Sequence, residues 1–227
     1  MRTLLTLKYG NKYTAEDVNK IYQDTGGEYN YVCLTDDPIG LHEDIKVLPV
    51  NAEYGHWNKV LMLGLKDLGD VLYLDLDVHI QKNIVDIWNQ ISYIPTICYT
   101  YWKPKNFPTS RGESIPEMNY LGNFNSSVML WQSGTCENIV NGFLKHEDYY
   151  MVKYCGGDDR FFWHEHYPMK VFSQGLIYSF VYGADYETDK ENFKYRPEYN
   201  IALLNGQDQF PEAKQKYNDA LSMHKMG

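Results

Sequence analysis

The stretch Val71-Leu72-Tyr73-Leu74-Asp75-Leu76-Asp77-Val78-His79-Ile80 decides the fold, because an apolar run ends here in two carboxylates that are separated by one residue. Four apolar residues after Gly69-Asp70 are typical of a buried strand. Side chains alternate between the two faces of a strand, so we expect Asp75 and Asp77 to point the same way. Two carboxylates in one small site repel each other unless a cation lies between them, and hard oxygen ligands suit Mn²⁺ or Mg²⁺. The stretch therefore predicts a metal site, the alternative being a surface turn that carries two acids.

The composition limits the class of protein. The chain has 227 residues, of which 44% are hydrophobic, and this predicts one α/β core and a single domain over residues 1–227. The net charge of −9 argues against a nucleic-acid partner, which would need a clustered basic face. The start Met1-Arg2-Thr3-Leu4-Leu5 turns polar too quickly for a signal peptide, and no apolar run reaches membrane-spanning length. We therefore expect a cytoplasmic protein without a transmembrane segment.

Strand and helix patterns alternate along the chain. Strands are predicted at 2–9, 31–35, 45–49, 71–74, 94–100, 124–131, 169–172 and 201–204. A first helix begins at Thr14, where Asp17 completes a capping box, and stops at Gly26-Gly27. Further helices are predicted at 57–68, 84–91, 138–145, 158–166 and 211–223. This alternation predicts a parallel, doubly wound sheet with its ligand site beyond the carboxyl ends of the strands.

Five spaced motifs carry a resemblance to a known family. They are Trp57-Asn58-Lys59, Leu74-Asp75-Leu76-Asp77, Asn125-Ser126-Ser127-Val128-Met129, Gly157-Asp158-Asp159-Arg160-Phe161 and Leu204-Asn205-Gly206. In this order they resemble motifs of the metal-dependent glycosyltransferases of the GT-A fold, in particular glycosyltransferase family 8 and related small phage and bacterial enzymes. The D-x-D motif on its strand is the most specific of the five.

The resemblance implies both a fold and an activity. The fold would be α/β and GT-A-like (Rossmann-like), with a mixed, mostly parallel central sheet flanked by helices. The activity would be the transfer of a sugar, with retention, from a UDP-linked nucleoside diphosphate donor to a glycan or lipid-linked acceptor. The segment 101–121 is rich in Pro, Gly, aromatic and charged residues, and we expect it to bind the acceptor.

The resemblance also implies the metal ligands. Asp75 and Asp77 would hold Mn²⁺ (or Mg²⁺) against the diphosphate. Asn205 stands where the family has a histidine ligand, and an amide oxygen coordinates a hard cation more weakly than that ligand does. His224 is the substitute candidate for the third ligand, although a histidine so near the chain terminus is typical of a solvated tail.

Three residues are expected to act on the reacting groups. Lys59 would place a positive charge near the acids or phosphates, the alternative being an ordinary exposed helix residue. Asp158 would stabilise the oxocarbenium-like sugar, and Asp159, which stands where the family often has glutamine, would bind a sugar hydroxyl. The alternative for Asp158 is a helix N-cap.

The remaining predicted contacts are to the donor. The resemblance places Lys8, Tyr9, Asn11 and Tyr13 around the nucleotide base, although each also fits a plain turn residue. Asn125 and Ser126 would line the sugar pocket beside Asp75, while Asn125 also fits a strand-start residue that bonds nearby backbone.

Two other interpretations of the chain's function stay open. A haloacid-dehalogenase-like phosphotransferase also has D-x-D after an apolar strand, but it carries the motif on its first strand, whereas several predicted strands precede Asp75 here. A non-catalytic module that binds nucleotide sugars or carbohydrates is compatible with the departures at Asp159 and Asn205.

Overall fold

Two β-sheets organise the computed structural model, which describes residues 1–103, 122–165, 167–205 and 209–226. The strands are β1 (Arg2–Lys8), β2 (Asn30–Thr35), β3 (Lys46–Pro49), β4 (Asp70–Leu74), β5 (Val78–Ile80), β6 (Thr96–Tyr99), β7 (Phe124–Gln132), β8 (Lys170–Val171), β9 (Ile177–Ser179) and β10 (Ile201–Leu203). The helices are α1 (Ala15–Asp24), α2 (Asn58–Leu61), α3 (Val85–Trp88), α4 (Glu137–Leu144), α5 (Glu147–Lys153), α6 (Asp158–His164) and α7 (Ala213–Met226).

The larger sheet has seven strands in the order β3-β2-β1-β4-β7-β6-β8. The pairs β1–β2, β1–β4, β2–β3 and β6–β8 are parallel, whereas β7 is antiparallel to both β4 and β6. A mixed, mostly parallel sheet is therefore confirmed, and the all-parallel sheet predicted from the alternation is wrong for β7. The start of β7 consequently lies beside the carboxyl end of β4, where Asp75 N–H donates to Ser127 O at 2.9 Å.

The smaller sheet has three strands in the order β5-β10-β9. Its first strand begins one residue after Asp77, so the D-x-D motif lies in the connection between the two sheets. Leu204 N–H donates to Asp77 O at 3.0 Å, which holds the chain after β10 against this connection. Residues far apart in sequence are thereby brought to the end of β4.

Apolar layers cover both faces of the larger sheet. In β4, Leu72 and Leu74 pack into a core that includes the α1 residues Val18 and Ile21. The alternate residues Val71 and Tyr73 pack into a second core on the opposite face. Burial on both faces explains why the strand is a continuous apolar run rather than an alternating one.

Several element boundaries differ from the predictions. A single helix was predicted at 57–68, but the chain forms three short helical elements here. They are a 3-10 helix (Ala52–Trp57), α2 and a 3-10 turn (Met62–Gly64), after which Leu65 is extended. The first of these is broken at Gly55, whose φ of 52° is not helical. The helix predicted at 84–91 covers only Val85–Trp88. The strands β5 and β9 were not predicted because three residues are too few to show a period, and α5 was also missed.

The capping box of the first helix is confirmed. Asp17 N–H donates to Thr14 Oγ1 at 3.4 Å, and Thr14 N–H donates to Asp17 Oδ2 at 2.9 Å. Of the predicted acceptor segment 101–121, only residues 101–103 lie within the described part of the chain. No described helix has both the length and the apolar character needed to cross a membrane.

The tight turn before β4 gives a test of the fold. Gly69 has φ of 69°, and a Cβ added there would lie 2.3 Å from Met1 O, which accepts the hydrogen bond of Asp70 N–H. Gly134 has φ of 87° with nothing within 4 Å of its added Cβ. We expect Gly134→Ala to lower the free energy of unfolding by about 1 kcal/mol, the cost of a left-handed alanine, and Gly69→Ala by at least about 2 kcal/mol more. Urea denaturation of both variants measures the difference, and equal losses would contradict the clash.

Candidate active site

The D-x-D motif lies in a turn. β4 ends at Leu74, and Val78 N–H donates to Asp75 O at 3.2 Å across the turn. The prediction that Asp75 and Asp77 follow strand alternation is therefore wrong, because the backbone leaves the sheet before the first acid. The hydrogen bond across the turn nevertheless keeps the two acids close together, and burial, followed by the charge of Asp75, raises the pKa of Asp77. Leu76 between them is buried, as expected.

Lys59 on α2 holds the first acid in place. Its Nζ donates to Asp75 Oδ2 at 2.8 Å and to Ser126 Oγ at 3.2 Å. The hydroxyl of Tyr73 donates to the other oxygen of Asp75. The Lys59 side chain is only 13% exposed, so the alternative of an ordinary exposed helix residue is wrong.

The charge of Lys59 is fixed by its surroundings. Burial alone would lower the pKa of Lys59, but the carboxylates of Asp75, Asp158 and Asp159 together raise it. The lysine is therefore a permanent cation at neutral pH, placed among three acids from two different segments of the chain.

Asp158 and Asp159 come from the first turn of α6. Gly157 is the N-cap of this helix, so the alternative that Asp158 is the N-cap is wrong. Asp158 is 4% exposed, and its Oδ2 has no hydrogen-bond partner among the described residues. Burial raises the pKa of Asp158 to about 7, with Lys59 opposing the shift and Asp159 adding to it. The site therefore favours the neutral form of this carboxyl group more than water does.

Ser126 at the start of β7 links these groups. Its N–H donates to Asp159 Oδ1 at 2.6 Å, and its Oγ accepts from Lys59. Asn125 uses its Oδ1 to accept a hydrogen bond from Ser127 N–H at 3.1 Å, which is the local role weighed for it above. The structure therefore brings Lys59, Asp75, Ser126, Asp158 and Asp159 together, with Asn125 at their edge.

Asp77 and Asn205 offer oxygen atoms of the kind that a hard divalent cation binds. Its Oδ1 is a buried oxygen with no hydrogen-bond partner in the described residues, and burial, followed by the charge of Asp75, raises the pKa of Asp77 to about 6. Asn205 comes directly after Leu204, whose N–H donates a hydrogen bond to Asp77 O. Asn205 Oδ1 accepts a hydrogen bond from Ser179 Oγ at 2.7 Å. An amide oxygen has a second lone pair, so this bond leaves room for a cation.

The proposed metal site needs a third ligand besides Asp75 and Asp77, and the candidates are Asn205 and His224. Within the described ranges, no three His, Cys, Asp or Glu side chains form a group that could hold a metal ion. His224 is an exposed residue of α7, and its ring lies 5.2 Å from that of Tyr195. The described contacts give no support to His224 as a ligand, so Asn205 is the better candidate.

The four residues predicted to bind the base lie at the end of β1 and in the loop after it, and their role stays a prediction. Lys8 donates through Nζ to Asp37 O at 3.0 Å. Tyr9 is half-buried, and burial raises the pKa of its hydroxyl. The charge of Lys59 opposes this shift, whereas the charges of Asp158 and Asp75 add to it. Asn11 is exposed. Tyr13 lines a cavity that also contains Asp77.

That cavity has a volume of about 300 Å³ and a basic wall. Its lining residues are Lys12, Tyr13, Asp17, Lys20, Ile21, Leu76, Asp77, Val78, His79, Pro211 and Lys214. Three lysines, from the first loop, α1 and α7, therefore line a space that Asp77 also borders. Lys214 Nζ is 3.1 Å from Asp17 Oδ1.

Sequence reasoning missed this basic wall and the hydroxyl of Tyr73. Lys20 lies three residues after Asp17 on α1, which is a signal that could have placed both on one helix face. No local pattern could have brought Lys214 to the same cavity, because it meets Asp17 across 197 positions of sequence.

The fold and the acidic edge of the sheet define the class of structure to which the chain belongs: it has the GT-A fold of glycosyltransferases. The chain is similar to the galactosyltransferase LgtC in complex with donor and acceptor sugar analogues, with a TM-score of 0.57 and 13% identity over 97% of this chain and 95% of that one. It is also similar to mouse xyloside xylosyltransferase 1, with a TM-score of 0.55 and 15% identity over 91% and 99% of the two chains.

A third similar structure is the glycosyltransferase GlyE of Streptococcus pneumoniae TIGR4, with a TM-score of 0.58 and 13% identity over 99% of this chain and 65% of that one. No protein-family model and no curated protein matches the sequence. The likeness to these structures confirms the predicted fold, while membership of family 8 stays a prediction.

The buried lysine gives a test of the site's charge balance. Lys59→Met leaves Asp75 and Asp158 without their counter-ion, and we expect it to lower the free energy of unfolding by about 3–5 kcal/mol at pH 8 in a metal-free buffer. The loss should shrink toward pH 5, because a carboxyl whose pKa is raised in the folded state destabilises the protein only as pH rises.

Lys66→Met is the matched control, because Lys66 pairs with Glu137 at 2.7 Å on the surface and should change little on substitution. Chemical denaturation at both pH values measures the effect. A loss from Lys59→Met that is no larger at pH 8 than at pH 5 would show that Lys59 does not compensate the acids.

Proposed function

We propose that this protein is a metal-dependent glycosyltransferase that moves a sugar from a nucleoside diphosphate donor to a glycan or lipid-linked acceptor. The observation that carries the proposal is the cluster of Lys59, Asp75, Asp158 and Asp159, which is assembled beside the unpaired Asp77 oxygen at the carboxyl end of β4. In open α/β sheets, ligands bind at this end of the strands. The GT-A fold adds support, because the similar solved structures described above are glycosyltransferases.

The basic cavity is the proposed site of the donor's diphosphate. Lysine ammonium groups attract phosphate oxygens, and Lys12, Lys20 and Lys214 line a space of about 300 Å³ next to Asp77. Tyr13 on the same wall offers a ring for the nucleoside, consistent with its predicted role. The base is proposed to be uracil on the strength of the sequence resemblance alone.

The metal is proposed to be Mn²⁺ or Mg²⁺, held by Asp75, Asp77 and the amide oxygen of Asn205. When bound, such an ion supplies a Lewis acid for the departing diphosphate. The protein's own contribution is to keep these oxygens ready, with Asp75 oriented by Lys59 and Tyr73.

The acids of α6 are proposed to face the transferred sugar. The charged form of Asp158 would stabilise positive charge on the anomeric carbon, and its Oδ2 has no hydrogen bond in the described residues that would have to break first. Asp159 is fixed by Ser126 N–H through Oδ1, which leaves Oδ2 to accept from a sugar hydroxyl. Retention of the anomeric configuration follows from the family resemblance and is part of the proposal.

One of the similar structures bears on the acceptor. The LgtC structure was solved with donor and acceptor sugar analogues, and by analogy this chain is proposed to use a carbohydrate acceptor. The predicted acceptor segment 101–121 lies almost wholly outside the described residues, so its role stays a prediction.

Donor hydrolysis tests the proposal directly. We expect one member of a panel of UDP-, GDP- and dTDP-sugars to be hydrolysed slowly in the presence of Mn²⁺, and Asp77→Asn to reduce the rate at least about 100-fold by removing a ligand charge without changing shape. Calorimetric titration with Mn²⁺ gives a readout apart from turnover. Asp86→Asn, at an exposed acid on α3, is the control.

The same assay separates the rival functions. Metal-dependent binding without turnover, even with acceptors supplied, would favour the non-catalytic binding module. Hydrolysis of a simple phosphomonoester that depends on Asp75, without nucleotide-sugar binding, would replace the proposal with the phosphotransferase.

The basic wall can be tested on its own. Lys214→Met should weaken binding of the free nucleoside diphosphate about fivefold, because it removes one ammonium group from the cavity. Lys216→Met is the matched control, since Lys216 lies two residues further along α7 and pairs with Glu212 at 3.3 Å. Calorimetry measures both affinities, and equal effects would mean that Lys214 does not contact the phosphates.

A further inference from the structure

His56 carries a buried nitrogen that the protein leaves unpaired. Among the described residues, eight buried side-chain polar atoms have no hydrogen-bond partner, and His56 Nε2 is one of them. Two of the others are Asp77 Oδ1 and Asp158 Oδ2, which belong to the candidate active site. An unmade hydrogen bond at a buried polar atom costs free energy. A buried polar atom that is kept unpaired at this cost is a candidate for a ligand contact.

The backbone around His56 is shaped to hold it in place. Gly55 interrupts the 3-10 helix with φ of 52° and ψ of −129°, a conformation that strongly favours glycine. Asn58 Nδ2 clamps this break by donating to Asn51 O at 2.8 Å and to Gly55 O at 2.9 Å. On the other side of His56, Trp57 is buried and stacked on Phe143 with ring centroids 5.2 Å apart. The imidazole is therefore fixed between two well-held neighbours.

The surroundings of His56 keep its imidazole uncharged. Burial, and next the charge of Lys59, lower the pKa of His56, while Asp159 acts in the opposite direction. The imidazole is thus neutral at pH 7, with one nitrogen to donate and one to accept. Lys59 and Asp159 are the two groups joined by Ser126. His56 also precedes Lys59 by three residues, a spacing that makes two residues neighbours on a helix surface, so it lies near the lysine that Ser126 joins to Asp159.

We propose that His56 binds a hydroxyl group of the transferred sugar through its unpaired Nε2. A neutral imidazole suits an uncharged hydroxyl better than a phosphate, which the lysines of the basic cavity are placed to bind. The inference rests on the proposed function, because it assigns a residue to the donor sugar of that same site. It makes His56 a specificity determinant that the five sequence motifs do not include.

The test compares a nucleotide sugar with its own nucleoside diphosphate. The probe is the panel member that wild type binds most tightly with Mn²⁺, measured by calorimetry beside the free diphosphate. We expect His56→Ala to weaken the nucleotide sugar about tenfold and to leave the diphosphate unchanged, because one hydrogen bond to the sugar is lost. His56→Gln, which keeps a polar side chain, should recover part of the affinity and serves if the alanine variant does not fold. His146→Ala, at an exposed histidine, is the control.

Each other outcome overturns the inference. Equal weakening of both ligands would place His56 at the nucleotide or in a structural role, and unchanged affinities for both ligands would remove it from the site. If wild type binds no nucleotide sugar, the proposed function itself fails, whereas normal wild-type binding with unaffected His56 variants defeats only this inference.

Discussion

The ion pair between Lys59 and Asp75 is the interaction on which the candidate site depends. One ammonium group faces the carboxylates of Asp75, Asp158 and Asp159, so the cluster keeps an excess of negative charge even with the lysine fully charged. Burial is the main cause of the raised pKa values of Asp77 and Asp158, and the neighbouring acids Asp75 and Asp159 add to it. A divalent cation would relieve the excess of negative charge, which links the electrostatics of the site to the proposed metal dependence.

The mixed sheet makes this cluster possible. Because β7 runs against β4, its first residues lie beside the last residues of β4, and Ser126 can bond both Lys59 and Asp159. If β7 were parallel to β4, the last residues of β7, and not Ser126, would lie beside Asp75. The antiparallel strand thus joins the helix before the D-x-D motif to the helix that carries the second pair of acids.

The sequence is most informative where the signal is local. The apolar run 71–74, the capping box at Thr14 and the D-x-D motif could all be identified, because each depends on neighbouring residues. The direction of β7 could not, since a strand buried on both faces has the same apolar pattern whichever way it runs. The turn after Leu74 and the break at Gly55 were also missed, because hydrophobic periodicity carries no information about the φ and ψ angles of an individual residue. Contacts such as Lys214–Asp17 depend on the finished tertiary structure.

The contact between Lys214 and Asp17 has a consequence for the order in which the site forms during biosynthesis. Lys214 on α7 closes the cavity wall that α1 begins, and Leu204 ties the chain after β10 to the D-x-D turn. A nascent chain on the ribosome could pair β1, β2 and β4 long before α7 emerges from the exit tunnel. At that stage the acidic edge of the sheet would lack the part of the cavity wall that α7 contributes. The cavity proposed for the donor's diphosphate would therefore be complete only after α7 has emerged.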